Sequence, residues 1–217
     1  MNYIAIINSE YFKQTYSEIE ELKKEFPVNH GFIHVFNVIE NAKKIADVFN
    51  LDERQKELLL TASVLHDIGY LQGRDNHALN GSIMAEKYLL ELGFNKEDTS
   101  IICNAIKNHG GKKEENYRDV ISMCLIIADK LDFIGKRYDK DRIKQEYLNI
   151  FPCILETNLE YKNNEIILNI KTNKSFDKKS FNNSNYFEKL NKFLSILSDR
   201  LEAKYNIKYE IENKKSL

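Results

Sequence analysis

The stretch Ala62-Ser63-Val64-Leu65-His66-Asp67-Ile68-Gly69-Tyr70 constrains this chain more than any other. The run from Leu58 through Leu65 carries too little polarity for a surface helix, so its last turn should deliver His66 and Asp67 into the interior before Gly69 ends it. A buried carboxylate needs a compensating partner, and beside an imidazole the least costly one is a bound cation. The doublet is equally compatible with an ordinary helix C-terminus, in which His66 meets the last carbonyls and Asp67 faces water. The rest of the chain has to separate the two readings.

All five histidines, His30, His34, His66, His77 and His109, fall in the first half of the sequence. His34 shares a helical stripe with Val38, Ile45 and Phe49 and so points toward a core, where it reads as a ligand or as a satisfied core histidine. His77 follows a Gly69–Asn76 loop and starts a helix through Met84, Ala85, Tyr88, Leu89 and Leu92; a capping role there is the alternative. Asp98-Thr99-Ser100 reads as an N-cap cluster for a helix whose stripe of Ile101, Ile102, Ala105 and Ile106 reaches His109 just before Gly110-Gly111. The spacing predicts a further helix over Asp119–Lys136, apolar on nearly every face from Val120 to Ala128, with Asp129 in its middle. A solvated Asp129 flanked by Lys130 is the competing reading.

Four neutral imidazoles, those of His34, His66, His77 and His109, together with Asp67 and Asp129 make six mixed nitrogen and oxygen donors. Such a set suits octahedral iron, manganese, cobalt or nickel better than the tetrahedral, thiolate-rich sites of structural zinc. Two carboxylates offset the charge of one divalent ion, and a bridging Asp joins two, so the expected cofactor is one or two transition-metal ions. His30 lies one helical turn before His34. It is placed to touch a substrate or donate a proton to a leaving group, or else to sit exposed near the helix start.

Elsewhere the pattern is architectural. Glu10–Phe26 reads as a packing helix ended by Pro27, Asn50-Leu51-Asp52 as a turn into a Glu53–Asp67 helix, and Arg142–Ile150 as the last helix before Pro152. Leu159–Lys162 and Glu165–Ile170 around Asn163-Asn164 read as a hairpin, Tyr186–Lys204 as an amphipathic helix and Tyr205–Glu212 as a third strand. The expected fold is mainly α: residues 1–150 form a helical metal-binding domain and residues 151–217 a small α+β appendage. Lys and Arg total 32 against 33 Asp and Glu, a net charge of −1 that leaves no global basic field for nucleic acid. The first residues carry no basic segment and only a short apolar run, so the expectation is a cytoplasmic protein with no membrane partner. Cys103, Cys124 and Cys153 are odd in number and set in apolar surroundings, as reduced core thiols are.

The order His34, then His66-Asp67, then Asp129 within Ile127-Ala128-Asp129-Lys130-Leu131-Asp132-Phe133 resembles the HD-domain superfamily of metal-dependent phosphohydrolases, over roughly His30 to Lys136. His77 in Asn76-His77-Ala78-Leu79-Asn80-Gly81 and His109 in Lys107-Asn108-His109-Gly110 match the two extra histidines of its dinuclear branch, as in the hydrolases that split dinucleoside polyphosphates. The same order is similar to the mixed-valent di-iron oxygenases of the superfamily. The double histidine and Gly-Tyr-Pro signature of its cyclic-dinucleotide phosphodiesterases are not matched. The resemblance implies an HD-type helical bundle in which His34, His66, Asp67 and Asp129 hold one metal and Asp67 bridges to a second held by His77 and His109. The appendage lies outside the resemblance.

A divalent ion lowers the pKa of bound water from about 15.7 toward ~7, and a metal pair ~3.5–4 Å apart clamps both the nucleophile and a phosphoryl oxygen. The expected activity is therefore hydrolysis of a phosphate ester or anhydride of a nucleotide or other small phosphorylated metabolite, with Asp67 and His30 as the candidate catalytic residues. Arg74, Lys112, Lys130 and Arg137 flank the ligand positions and are the candidate substrate contacts, each equally readable as a solvated charge. The alternatives are oxidation of a polyol-like substrate and a non-catalytic, metal-bound ligand sensor. Oligomerisation stays open.

Overall fold

A computed structural model describes residues 2–22, 28–111 and 113–212. These divide into two compact units, one containing residues 29–129 with the N-terminal helices and the other residues 130–212 with Val28.

The first unit is helical throughout. Helix α1 (Tyr3–Ile7) and α2 (Glu10–Glu21) are capped by Asn2 and Ser9, whose side chains accept from backbone N–H groups of the first turn. The sequence predicts α2 as far as Phe26; it ends at Glu21, and residues 23–27, with Pro27, lie outside the described residues. Helix α3 (Phe32–Val48) buries His34, Val35, Val38, Ile39, Ala42 and Ile45 along one stripe. Helix α4 (Glu53–Leu65) starts in a capping box between Asp52 and Gln55 and buries every residue from Leu58 to Leu65. Surrounded on all sides, that run leaves His66 and Asp67 at the centre of the unit, where they are essentially inaccessible.

A 3-10 turn over Ile68–Gln72 leads to α5 (His77–Glu91) and then α6 (Lys96–Asn108). The N-cap of α6 is Asn95, three residues before the expected cluster, because the Asn95 side chain accepts from Asp98 N at 2.9 Å and draws Asp98 into the first turn. Helix α7 (Val120–Lys130) buries every residue from Ile121 to Asp129. Helix α4 packs on α3 and α6, and α5 packs on α6 and on the 3-10 turn. The Tyr16 hydroxyl ties α2 to α4 by donating to the Val64 carbonyl at 2.8 Å, and Asn41 ties α3 to the last turn of α7 through the Ala128 carbonyl at 3.1 Å.

Two glycines set the tightest crossing. A Cβ on Gly69 would stand 2.0 Å from the His77 carbonyl oxygen and 2.4 Å from Gly81 N, and one on Gly81 would meet Gly69 N at 3.2 Å. The 3-10 turn and α5 thus touch backbone to backbone, which brings the start of α5 against Asp67. Gly69 is required here by close approach, where the sequence suggested only a helix stop.

The second unit pairs β1 (Ile154–Lys162) antiparallel with β2 (Glu165–Thr172), and β3 (Lys204–Ile211) lies parallel to β2 on its other side. Asn163 and Asn164, with φ of 53° and 59°, form the hairpin loop, since asparagine tolerates the left-handed region that such a two-residue turn demands. Parallel pairing needs a crossover, supplied by α8 (Lys178–Asn182) and α9 (Asn185–Leu201). Ile166, Leu168, Ile170 and Thr172 alternate inward along β2, and Leu190, Phe193, Leu194 and Leu197 form the buried stripe of α9.

Three further expectations change. Helix α7 ends at Lys130 rather than Lys136, and the division between units falls there rather than after Ile150, because Phe133 joins Phe181 and Tyr186 in the second unit's aromatic cluster. The expected Arg142–Ile150 helix is a set of turns with one 3-10 turn at Gln145–Tyr147. Of that segment only Ile150 is buried, so no apolar stripe is available to stabilise a helix, and the Asp139 side chain accepts from Asp141 N in a competing local turn. Among the described residues no helix is long and apolar enough to cross a membrane.

Candidate metal centre

Helix ends deliver the site. His66 caps the C-terminus of α4, His109 caps that of α6, and His77 is the first residue of α5. Each ring donates its Nδ1–H to the carbonyl three residues earlier: His66 to Ser63 at 2.8 Å, His77 to Arg74 at 2.8 Å and His109 to Ile106 at 2.6 Å. A carbonyl only accepts, so in each neutral imidazole the proton is fixed on Nδ1 and a bare lone pair is left on Nε2.

Those lone pairs converge. His77 Nε2 lies 3.1 Å from His109 Nε2, and His66 Nε2 lies 3.1 Å from His34 Nε2. Between them sits Asp67, with one oxygen for each pair. Oδ1 is 3.4 Å from His109 Nε2 and 3.8 Å from His77 Nε2, while Oδ2 is 3.3 Å from both His34 Nε2 and His66 Nε2. Asp129, from α7, closes the second group with Oδ1 3.3 Å from His34 Nε2. Among the described residues three overlapping sets could hold a cation: His34, His66 and Asp129; Asp67, His77 and His109; and His30, His34 and Asp67.

The chemistry of this donor set fits a metal. Two acceptor lone pairs 3.1 Å apart repel, and neither His77 nor His109 has an Nε2 proton to share while its Nδ1–H is held by a carbonyl. A cation between them turns that repulsion into coordination. Donors held at ~2.1 Å on adjacent octahedral corners stand roughly 3.0 Å apart, close to the observed spacing.

The electrostatics agree. Burial by itself would raise the Asp67 carboxyl, but the neighbouring imidazoles of His66 and His30, with the hydrogen bond from His30, hold it well below the usual carboxylate range. Asp67 is therefore the anion a bridging position requires. Burial holds His77 below its ordinary value against the opposing pull of Asp67, and His109 adds to the lowering. A neutral imidazole is what coordination needs.

His30 is different from the other four. Its Nδ1 lies 2.7 Å from Asp67 Oδ2, and its Nε2 meets the Tyr70 hydroxyl at 3.0 Å. The Tyr70 ring stacks on His30, with centroids 4.1 Å apart, and packs on His77 at 4.4 Å. His30 and His77 form the water-facing edge of the site, with side chains 21% and 23% exposed against 2% for Asp67 and His109. The sequence pattern assigns Tyr70 no role; an aromatic just after the glycine of the site turn is the one signal that points to it.

The candidate substrate contacts scatter. Arg74 is exposed beside His77, whose Nδ1 its carbonyl receives. Lys112 lies outside the described residues. Lys130 and Arg137 belong to the second unit. Arg137 is buried there, with Nη1 donating to the Asp132 carbonyl at 2.7 Å and Nε 3.7 Å from the Asp132 carboxylate. Its charge is thus answered within its own unit. Cys103, Cys124 and Cys153 are free and buried, as expected.

Comparison with known proteins returns one family at this place in the chain. Residues 31–134 match the family model described as the HD domain. An uncharacterized protein of Clostridium beijerinckii is 31% identical over 108 residues, covering 47% of this chain and 64% of that relative, so the match spans just under two thirds of its length. A crystal structure of a predicted HD superfamily hydrolase from an uncultured Thermotogales bacterium aligns over 62% of this chain and 76% of that one, with 25% identity and a TM-score of 0.47.

Proposed function

We propose that this chain, whose residues 31–134 match the HD domain, is a metal-dependent phosphohydrolase acting on a nucleotide or another small phosphorylated metabolite. The observation that carries the proposal is Asp67: a buried, ionised carboxylate with one oxygen turned to the His34–His66 pair and the other to the His77–His109 pair. An anion between two sets of bare nitrogens supports the reading of a dinuclear site for iron, manganese, cobalt or nickel. His34, His66, Asp67 and Asp129 would hold one ion and Asp67, His77 and His109 the other. Bound there, such ions supply Lewis acidity to a phosphoryl oxygen and lower the pKa of a water toward neutrality.

The chain's own residues do the rest. The i−3 carbonyls keep three rings in the tautomer and orientation that present Nε2, so no reorganisation is needed at the moment of reaction. The apolar walls of α4 and α7 exclude water from the buried side and strengthen every charge interaction within. A substrate reaches the site past His30 and His77, where Arg74 is exposed at the same edge to receive phosphate oxygens.

The test is release of inorganic phosphate or a nucleotide product from a nucleotide panel, with protein loaded anaerobically with Mn²⁺ or Fe²⁺ and Asp67→Asn as the control. Turnover by the wild type and loss in the control are expected. Oxygen uptake with a polyol under reducing conditions, and no hydrolysis anywhere in the panel, would overturn the reading in favour of an oxygenase.

A further inference from the structure

We propose that Tyr70 is a positioning residue for the dinuclear centre, acting through His30 to hold the bridging carboxylate of Asp67. The inference rests on the reading of Asp67 as a bridge and adds a residue that neither the donor set nor the spacing of the histidines supplies.

Three contacts carry it. The Asp67 carboxylate accepts only, so His30 presents Nδ1–H to Oδ2 across 2.7 Å. In the neutral ring His30 Nε2 is then an acceptor, and the Tyr70 hydroxyl, 3.0 Å away, is its donor. Tyr70 therefore fixes the His30 tautomer in which Nδ1 holds the carboxylate. The third contact is packing: the Tyr70 ring lies between His30 and His77, touching one residue that grips Oδ2 and one that faces Oδ1. The backbone crossing of Gly69 and Gly81 holds this wedge in place, since it presses the turn carrying Tyr70 onto the helix carrying His77.

His30 thus falls outside the pattern of the other histidines. Its Nδ1 serves a carboxylate where the Nδ1 atoms of His66, His77 and His109 serve backbone carbonyls, and its Nε2 faces a hydroxyl where theirs face another imidazole. Carboxylates that bridge ions are themselves held by hydrogen bonds, and loss of such a partner typically costs ~10–100-fold in metal affinity.

The experiment is a double-mutant cycle read by Mn²⁺ binding, through equilibrium dialysis and the exchange-coupled Mn²⁺ resonance, so that activity is not needed. Tyr70→Phe keeps the ring and removes only the hydroxyl; His30→Ala removes the link. Tyr70→Phe should weaken binding of the ion pair ~10-fold, His30→Ala should weaken it at least as much, and Tyr70→Phe in the His30→Ala background should cost nothing more. His30→Asn, which restores an N–H toward Asp67, should recover part of the affinity. Additive losses, or wild-type affinity in Tyr70→Phe, would overturn the proposal while leaving the metal centre intact. A wild type that binds no Mn²⁺ at all would overturn both.

Discussion

His77 and His109 reach each other from different helices with their Nε2 atoms 3.1 Å apart, and each ring has already given its Nδ1–H to a carbonyl of its own chain segment. Two neutral imidazoles cannot hydrogen-bond in that arrangement. Either a proton or a metal must lie between them, and Asp67 Oδ1, 3.4 Å from His109 and 3.8 Å from His77, supplies the matching negative charge.

Metal stoichiometry follows from this pair. Two ions per chain are expected under anaerobic, metal-replete conditions. Either His77→Ala or His109→Ala should leave one, because His34, His66 and Asp129 remain grouped. Elemental analysis after desalting measures it, and an unchanged count in both variants would give the two histidines another duty.

Asp129 should separate stability from binding. It is buried, with Oδ1 3.3 Å from His34 Nε2. Asp129→Asn keeps an oxygen toward His34 but removes a buried charge, so in chelator its melting temperature should stay near that of the wild type or rise. Mn²⁺ at ~100 times Kd should stabilise the wild type by about 2.7 kcal/mol, roughly 5–10 °C in melting temperature, and the variant by much less. Equal metal-induced shifts in paired thermal melts would remove Asp129 from the ligand set.

Gly69→Ala should be among the most damaging single-methyl additions. The new Cβ would stand 2.0 Å from the His77 carbonyl oxygen, and because this neighbour is backbone no side-chain rotation relieves the clash. A loss of ~3 kcal/mol or more is expected, together with weaker metal binding as the start of α5 is pushed away from Asp67. Gly93→Ala gives the contrast: its Cβ would meet nothing within 4 Å, and its φ of +83° makes the cost conformational, with metal affinity unchanged. Urea titrations and Mn²⁺ binding on both variants check this. Comparable metal affinity in the two would refute the role assigned to the crossing.

The buried thiols should be inert. Burial pushes Cys103 up to about 12, and Cys124 rises for the same reason. Alkylation needs the thiolate, and at pH 8 a thiol of that pKa is ionised in only ~1 molecule in 10⁴. Reaction with a thiol reagent should therefore be slow in the native protein, speed up as pH rises toward 12, and reach all three cysteines in denaturant. Fast stoichiometric labelling of the native chain at pH 8 would contradict the burial.

The inward direction of His34, His66, Asp67, His109 and Asp129 was legible in the sequence, because helical periodicity reports which face of an element meets a core. The stripe of His34, Val38 and Ile45, the Leu58–Leu65 run before His66 and Asp67, and the apolar octet before Asp129 all say so locally, and all are buried in the structure. The hairpin loop was legible too, from two residues that accept positive φ. Periodicity does not say which inward faces meet. That His77 lies against His109, that Asp67 divides its oxygens between two pairs, and that Tyr70 wedges between His30 and His77 depend on how α3, α4, α5 and α6 pack, with the backbone contact of Gly69 and Gly81 holding the start of α5 against the site turn. The same limit explains the missed boundary at Asp129. Phe133 is as apolar as the residues before it, and only its packing against Phe181 and Tyr186, some fifty residues on, assigns it to the other unit. Local pattern decides what is buried; long-range packing decides what it is buried against, and the chemistry of a site depends on the second.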